Sequence, residues 1–426
     1  MGKIQKIKGF ADMFGADAEK FTRMENAARE TFSRYGFEEL RLPILEKTEL
    51  FAKSIGEDTD VVGKEMYTFP DRKGRSLTMR PEATAGMCRA FIEGKVHQPG
   101  KVSKYFTFGP MFRYERPQKG RMRQFHQLDV ETFGAPEPEA DAELILMLAS
   151  FLESLGLAKL SVELNSLGCP ECRPAYRQSL IDFYNTFDTD LLCEDCRRRK
   201  DTNPLRVLDC KVPSCKELVR NAPTVTDSLC QGCAEHFAAV KAILDASGVA
   251  YVVNPRLVRG LDYYQRTTFE VVSGDIGSQS SVAGGGRYDG LVKNLGGGDV
   301  CASGFAIGME RIALLLPDPE PARPDFYVAV VDAAATGPAL LLAQELRAAG
   351  KSGVADFAAG SMKSRMRAAD KSGARFCLIL GGAEVAEGTV TVKDMAEGGG
   401  QKTVSRSKLV DMFEQNRTLP DELFKL

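Results

Sequence analysis

A basic stretch between two short apolar segments most constrains how this chain can fold. The flanking segments centre on Phe112 and Phe125, and Pro117 and Gly120 interrupt the stretch between them. The stretch carries five cations: Arg113, Arg116, Lys119, Arg121 and Arg123. Apolar runs separated by Pro and Gly predict a β-hairpin. Because arginine is permanently charged and binds two oxygens at once, we expect this hairpin to hold phosphate groups, with a solvated basic loop as the alternative.

The composition is that of an ordinary globular protein. The 426 residues are 43% hydrophobic and 27% charged, with a formal net charge of −2. A chain of this length predicts two or three domains, and nucleic-acid binding would have to come from local basic patches. The first residues lack the apolar core of a signal peptide, and no run is long enough to cross a bilayer. We therefore expect no membrane association and a cytoplasmic location.

Four prolines mark the clearest domain boundary. They are Pro317, Pro319, Pro321 and Pro324. Such a segment is a stiff linker, so we expect one domain over residues 1–322 and a second over 323–426. In the second domain strand-like and helix-like segments alternate, which predicts a small α/β fold with a central sheet. One of its predicted helices, about 361–372, carries several cations, which fit either nucleic-acid contact or a solvated face.

A cysteine-rich segment, about 168–235, interrupts the first domain. We predict an irregular insertion here, because the segment is polar and lacks a clear period. Eight of the eleven cysteines form four close pairs: Cys169 and Cys172, Cys193 and Cys196, Cys210 and Cys215, Cys230 and Cys233. In a chain without a secretion signal this spacing indicates metal ligands, and eight thiolates suffice for two structural zinc sites. Buried free thiols are the alternative.

Two further segments carry cations and glycines in apolar surroundings. In residues 256–264, Gly260 allows close backbone approach, so Arg259 can point into a cleft. An Arg259–Asp262 salt bridge would be the structural alternative. The segment 283–290 begins with a glycine-rich stretch, Ala283–Gly286, which we predict to be a turn that admits a ligand or simply a loose hairpin.

The segment 302–312 is predicted to run from a strand into a helix. Arg311 would lie in the first turn of that helix, where its charge opposes the helix dipole. A bound triphosphate would explain a cation at this place.

Together these segments resemble the class II aminoacyl-tRNA synthetases and, most specifically, the histidyl-tRNA synthetases. Residues 17–43 resemble motif 1, residues 112–133 motif 2 and residues 304–311 motif 3, while 257–264 and 283–289 resemble the two histidine-specific motifs. The resemblance implies an α+β catalytic domain with a mixed, mainly antiparallel sheet flanked by helices, and a C-terminal α/β anticodon-binding domain. It implies a homodimer that attaches L-histidine to tRNA(His) through a histidyl-adenylate, consuming ATP with Mg²⁺ and releasing AMP and diphosphate.

The resemblance also assigns roles to individual residues. Arg113 and Arg259 would be catalytic, holding the α-phosphate from two sides. Four residues would bind ATP: Arg113, Glu115, Arg121 and Arg311. Nine residues would form the histidine site: Glu82, Ala83, Thr84, Gln127, Glu131, Arg259, Tyr263, Tyr264 and Tyr288. The family usually has glycine where this chain has Ala83, which puts in doubt only how closely the backbone there approaches the ligand.

Two other functions remain open from the sequence. One is the synthetase-like regulatory subunit of ATP phosphoribosyltransferase, which binds histidine but generally lacks the anticodon-binding domain and has degraded ATP motifs. The other is a zinc-dependent nucleic-acid binder with an inactive fold, which would explain the cysteines and leave the histidine-specific segments without a role.

Overall fold

This computed structural model describes residues 3–414, except 57–58, 60, 97, 99, 158–159, 209, 211, 260, 262, 280, 322 and 397. Gly260 and Asp262 therefore lie outside the described residues. The chain divides into two compact units between Pro319 and Glu320. Among the residues described, no helix combines the length and apolar character needed to cross a bilayer.

The first unit is built from eleven strands and ten α-helices among its described residues, besides a few short 3₁₀ and π turns. The strands are β1 (Glu38–Glu39), β2 (Leu45–Lys47), β3 (Tyr67–Pro70), β4 (Ser76–Met79), β5 (Ser103–Phe112), β6 (Gln124–Phe133), β7 (Ser161–Ser166), β8 (Tyr251–Val253), β9 (Gln265–Val272), β10 (Ser281–Arg287) and β11 (Ala302–Gly308). The helices are α1 (Ala16–Arg34), α2 (Thr48–Ile55), α3 (Thr84–Glu93), α4 (Pro138–Ser154), α5 (Arg173–Tyr184), α6 (Glu194–Thr202), α7 (Pro213–Leu218), α8 (Gln231–Ala246), α9 (Leu291–Asn294) and α10 (Met309–Ala313).

Eight of these strands form one sheet in the order β1-β5-β6-β11-β10-β9-β7-β8. The β1–β5 and β7–β8 pairs are parallel, and every other pair in the sheet is antiparallel. The predicted mixed, mainly antiparallel sheet is thus confirmed, as is the hairpin, whose strands β5 and β6 pair from Ser103↔Phe133 to Phe112↔Gln124. A small second sheet has the order β2-β4-β3.

The two faces of the large sheet have different surroundings. Helices α1, α4 and α8 cover one face, where the Phe32 ring lies 5.4 Å from the rings of both Phe106 and Phe151. Successive residues of a strand point to opposite faces. Leu128 and Val130 of β6 therefore join this core, and the intervening polar residues of the same strand are directed to the other face. Because of this alternation, one face of the sheet packs against the helices and the other presents polar side chains that can bind a ligand.

The glycine-rich segment is a central strand, so the predicted turn at Ala283–Gly286 is wrong. β10 lies between β9 and β11 and pairs with both. The glycines are required by close neighbours, since a Cβ atom added to Gly285 would lie 2.2 Å from the carbonyl oxygen of Gly304. Sequence reasoning took the glycines as a sign of a turn, whereas here they permit close packing between strands.

The insertion is helical, so the predicted irregular segment is also wrong. It contains α5, α6 and α7, joined by short 3₁₀ turns. Its own small core includes Tyr176, Leu180, Tyr184, Val207 and Cys215. The helices are too short to show a clear apolar period, and cysteines supply part of the buried surface, which is why the sequence pattern hid them.

The second unit contains a five-stranded sheet with the order β13-β12-β14-β15-β16. Its strands are β12 (Phe326–Val330), β13 (Gly353–Ala355), β14 (Phe376–Leu380), β15 (Thr389–Asp394) and β16 (Gln401–Ser405). Its helices are α11 (Thr336–Ala348), α12 (Met362–Ser372), α13 (Gly382–Glu387) and α14 (Arg406–Glu414). β12 is parallel to both neighbours, while β15 is antiparallel to both of its own. The predicted α/β fold of this part is confirmed.

Candidate active site

A cavity of about 1390 Å³ lies on the open face of the large sheet. Arg113, Arg259 and Arg311, which are far apart in the sequence, all line it. Seven further predicted site residues line the same cavity: Glu82, Thr84, Glu115, Arg121, Gln127, Tyr263 and Tyr264. The cavity therefore combines a group of cations with a group of acidic and aromatic side chains.

The hairpin fixes Arg113 directly after the end of strand β5. The Arg113 backbone N–H donates to the carbonyl oxygen of Arg123 at 2.9 Å, which extends the β5–β6 pairing by one residue. Its Nε donates to the carbonyl oxygen of Pro81 at 2.8 Å, and its guanidinium lies 5.3 Å from the centre of the Phe125 ring. With one edge of the guanidinium held by the protein, the rest of the group can bind an anion in the cavity.

The hairpin turn and helix α10 bring two more cations together. Arg121 forms an ion pair with Glu115, and the Arg311 Nε donates to the carbonyl oxygen of Gly120 at 3.2 Å. Burial and the neighbouring Arg121 charge lower the pKa of Arg311, although nearby carboxylates oppose the shift. A buried cation beside another cation is stabilised by an anion. The pair is thus suited to a polyanionic ligand such as a triphosphate.

Arg259 is held on the opposite wall by strand β9. Its Nη1 lies 3.1 Å from Oε1 of Glu270, and its guanidinium lies 5.6 Å from the centre of the Tyr264 ring. Strand β10 passes so close that a Cβ atom added to Gly284 would lie 2.5 Å from both Nη atoms of Arg259. Gly284 therefore creates the space in which the Arg259 guanidinium lies.

Three carboxyl groups are buried on the same side of the sheet. Glu82, Asp129 and Glu131 are 3%, 1% and 1% exposed. Burial raises the pKa of Glu82, and it raises the pKa of Asp129 and of Glu131 well above the ordinary value for a carboxyl group. Neighbouring carboxylates add to the rise for Asp129 and Glu131. Such a cluster favours binding of a small cation, which would allow the carboxyl groups to ionise.

Several polar atoms in this cluster have no hydrogen-bond partner among the residues the structure describes. They include Oε2 of Glu82, Oε1 of Gln127 and Oδ2 of Asp129. Oε1 of Glu82 instead accepts from the backbone N–H of Ala85, in the first turn of α3, at 3.0 Å. Buried polar groups are normally paired, so unpaired acceptors facing a cavity indicate a ligand that donates hydrogen bonds.

Three predicted site residues lie behind the cavity surface. Glu131 accepts hydrogen bonds from the hydroxyls of Thr84, at 2.6 Å, and Tyr288. Neither Glu131 nor Tyr288 is among the residues that line the cavity. Ala83 is also absent from the lining and is fully buried in the core around Phe91 and Phe133, so its methyl group packs against protein.

Sequence reasoning missed five acidic residues of the cavity lining: Glu65, Asp129, Glu163, Glu270 and Glu310. Asp129 lies two residues from both Gln127 and Glu131, and strand alternation alone would have placed it on the same face. Glu270 stands between the buried apolar residues Phe269 and Val271 of β9, which is a signal for a functional charge. Its partner Arg259 was recognised, but the distance between them in sequence hid the pairing.

The eight cysteines of the insertion form two separate groups. We call Cys169, Cys172, Cys230 and Cys233 the neck group, and Cys193, Cys196, Cys210 and Cys215 the inner group. Within each group the four sulfur atoms lie within 4.8 Å of one another. Sulfur–sulfur distances of 3.7 Å (Cys169–Cys172) and 3.8 Å (Cys169–Cys230, Cys193–Cys210) exclude disulfides and match the edge of a zinc–thiolate tetrahedron, about 3.8 Å for bonds of about 2.3 Å.

Comparison with known proteins identifies the family of both units. The model of the histidyl-tRNA synthetase family matches residues 9–312, and that of the anticodon binding domain matches residues 325–416. The histidine–tRNA ligase of Maridesulfovibrio salexigens is 64% identical over 409 residues, covering 96% of this chain and 99% of the relative. The one from Nitratidesulfovibrio vulgaris strain DP4 is 66% identical over 406 residues, covering 95% and 97%.

A solved structure agrees with these sequence relatives. The structure of apo histidyl-tRNA synthetase from S. aureus matches with a TM-score of 0.80 and 33% identity, covering 97% of this chain and 100% of that one. The matches extend over the catalytic motifs, both histidine-specific segments and the second unit. The chain belongs to the histidyl-tRNA synthetase family.

Proposed function

We propose that this protein attaches L-histidine to tRNA(His), first forming histidyl-adenylate from histidine and ATP and then transferring the histidyl group to the tRNA. AMP and diphosphate are released. The observation that carries the proposal is the single cavity in which Arg113, Arg259 and Arg311 lie beside a group of buried carboxyls. One part of the cavity suits a triphosphate, and the other suits the α-ammonium group and the side chain of a small amino acid.

The first step needs charge stabilisation more than proton transfer. The histidine carboxylate is ionised at neutral pH and attacks the α-phosphorus without a general base. Arg113 and Arg259 hold the α-phosphate and neutralise the charge that grows on its oxygens, and Arg259 also orients the attacking carboxylate. Arg121 and Arg311 hold the remaining phosphates, to which Mg²⁺ is bound as part of the ATP substrate. Glu115 pairs with Arg121 and is proposed to accept a hydrogen bond from the adenine amino group.

The amino-acid side of the cavity recognises both polar ends of histidine. The α-ammonium group lies among Glu82, Gln127 and the Thr84 hydroxyl, with Asp129 supplying further negative charge. Tyr263 and Tyr264 face the imidazole, and Glu131, directly behind this wall and oriented by the Tyr288 hydroxyl, reaches the imidazole when histidine binding displaces its contact with Thr84. A neutral imidazole has one donor and one acceptor, so a carboxyl and a phenol satisfy both nitrogens. Ala83 contributes by packing, because its methyl group is buried against protein.

Exchange between ATP and pyrophosphate tests the first step directly. Wild-type protein should catalyse exchange only when histidine is present. Arg259→Ala should lower exchange by about a hundredfold or more, because it removes a charged donor to the transition state. Arg220→Ala is a matched control, since Arg220 is exposed and its guanidinium pairs only with Glu217 among the ion pairs described. Exchange that proceeds equally well without histidine would overturn the amino-acid assignment.

The regulatory-subunit alternative is less well supported. That role needs histidine binding but no triphosphate site and no anticodon-binding domain. The chain has cations for the triphosphate in one cavity and a second unit matched by an anticodon-binding model. Lys363, Arg367 and Lys371 follow one another at four-residue intervals on α12, and all three are exposed. We propose that this stripe contacts tRNA phosphates, while the neighbouring Arg365 is held by Asp356 at 3.0 Å.

The neck and inner groups are proposed to bind one structural zinc ion each. Four thiolates per group are the ligand set of closed structural zinc sites, and the sulfur distances fit without rearrangement. Bound zinc would cross-link four chain positions, which an insertion with a small core needs for stability. Elemental analysis should find about two zinc ions per chain. Less than about half an ion per chain in carefully prepared protein would contradict the proposal.

A homodimer in the cytoplasm is proposed as the working form. Motif 1, which forms the dimer interface in class II synthetases, ends at Pro43. The next residues, Ile44 and Leu45, are 42% and 44% exposed, and Phe69 of the same small sheet is 42% exposed. We assign these exposed apolar side chains, which follow motif 1, to the proposed interface. Light scattering should give twice the 46.6 kDa mass of the chain, and a monomer at working concentrations would refute the proposed homodimer.

A further inference from the structure

The neck group lies where the insertion leaves and rejoins the catalytic sheet. Cys169 and Cys172 follow β7 directly, and Cys230 and Cys233 stand at the start of α8. The backbone N–H of Cys230 donates to the sulfur of Cys172 at 3.1 Å. A metal at this point would join the outgoing and returning chains. The inner group, by contrast, packs within the core of the insertion among the residues the structure describes. The insertion residues that line the cavity, among them Arg198, Arg199 and Lys216, are not among those proposed to bind histidine.

One contact leads from the neck group to the histidine side of the cavity. Arg173, the residue after Cys172, donates from its guanidinium to the carbonyl oxygen of Tyr264. The backbone continues this connection, because the N–H of Arg266 donates to the carbonyl oxygen of Gly168 at 2.8 Å. Gly168 has φ +65°, and a Cβ atom there would lie 2.7 Å from the Cβ of Cys172. The segment that presents Tyr264 is thus fastened to the Cys169–Cys172 end of the neck group.

A second chain of contacts leads from Cys233 to Glu131. His236 lies one turn further along α8, and its Nε2 is 2.8 Å from Oδ2 of Asp141. The other oxygen of Asp141 accepts from Nη2 of Arg287 at 2.7 Å, and Arg287 is completely buried. Arg287 directly precedes Tyr288, whose hydroxyl donates to Glu131. Both ends of the neck group are therefore connected to residues proposed to bind the imidazole.

We infer that metal bound at the neck group positions the histidine pocket, whereas metal at the inner group stabilises the insertion, whose cavity-lining residues lie outside the proposed histidine site. This inference rests on the proposed zinc sites and the proposed histidine site. Arg173, His236, Asp141 and Arg287 act as positioning residues, because none of them lines the cavity. Loss of the neck metal should weaken histidine binding during activation, a step that needs no tRNA.

Two matched cysteine pairs provide the test. Cys230→Ser/Cys233→Ser removes two neck ligands, and Cys193→Ser/Cys196→Ser removes two inner ligands with the same spacing at the same place in a helix. Each variant should lose about one zinc ion per chain. The neck variant should raise the KM for histidine in ATP–pyrophosphate exchange by about tenfold, with kcat changed by less than about twofold. The inner variant should leave this KM within about twofold of wild type.

The other outcomes separate the proposals. A neck variant that loses zinc but keeps its KM for histidine overturns the inference and leaves the zinc proposal standing. Equal rises in KM for both variants overturn it too, because the connection would not be specific to the neck. Wild-type protein without zinc refutes the zinc proposal, and the inference with it.

If the neck variant does not fold, variants that keep every cysteine test the link between the neck group and the histidine pocket. Arg173→Met should raise the KM for histidine without loss of zinc, and Arg173→Lys, which keeps a donor for the Tyr264 carbonyl, should restore most of it. Arg177→Met, one turn further along α5, is the control, since Arg177 donates to the carbonyl oxygen of Asp201 within the insertion. An unchanged KM in Arg173→Met would overturn the inference.

Discussion

Substituting alanine for Gly284 tests the role of Arg259 without altering any charged residue. The added Cβ atom would lie 2.5 Å from both Nη atoms of Arg259 and 2.7 Å from its Cζ. Real Cβ atoms do not approach so closely, so the guanidinium must move. The obstructing atoms belong to the end of a flexible side chain, so the strand itself can stay in place. Gly284→Ala should therefore fold normally but displace the α-phosphate clamp.

The expected loss of exchange activity follows from the displacement of the Arg259 guanidinium. A charged donor aimed at a transition-state oxygen contributes about 3 kcal/mol, which corresponds to roughly a hundredfold in rate. We therefore expect Gly284→Ala to lower kcat for ATP–pyrophosphate exchange by roughly a hundredfold. The thermal midpoint should change little, because the Arg259–Glu270 pair is partly exposed and contributes at most about 1 kcal/mol.

Gly290→Ala is the matched control for this experiment. Gly290 belongs to the same segment, and a Cβ atom there would meet nothing within 4 Å. It should exchange at the wild-type rate. If kcat of Gly284→Ala for exchange stays within about threefold of wild type, displacing the guanidinium does not slow adenylate formation, and the proposed role of Arg259 is wrong. If both variants lose activity equally, the loss comes from the segment and not from Arg259.

Three further predictions concern the histidine pocket and the second unit. Tyr288→Phe leaves one oxygen of the buried Glu131 without its donor and should cost about 1–3 kcal/mol in free energy of unfolding, measured by denaturant titration; no loss would mean that the hydrogen bond is unimportant. Burial raises the pKa of Glu131 above 4.5, so its contribution to stability is present at low pH and is lost as the pH rises through the raised native pKa. The free energy of unfolding of wild type relative to that of Glu131→Gln should therefore fall over that pH range. A difference that stays constant with pH would contradict the raised pKa. Lys363→Glu/Arg367→Glu should raise the KM for tRNA about tenfold and leave histidine-dependent exchange unchanged, whereas equal loss of both would argue against tRNA contact by α12.

The parts of the fold that rest on local pattern could be read from the sequence. The hairpin was predicted because two apolar runs flank a Pro/Gly turn, and the alternating strands and helices of the second unit were equally plain. The glycine-rich strand β10 could not be recognised, because the need for glycine there comes from Arg259 and from strand β11. The insertion helices were missed since their stability depends on one another and on the cysteine groups.

The candidate site divides in the same way. The sequence by itself determined which residues carry charge and which strand faces they occupy, because strand alternation is a local property. Only the tertiary structure brought Arg113, Arg259 and Arg311 to one cavity, and it assigned Glu131 and Tyr288 to positions behind the cavity surface. It also divided the eight cysteines into two groups, a pairing that sequence spacing leaves open. Contacts between distant segments depend on how sheets and helices pack, and no local pattern of residues encodes that arrangement.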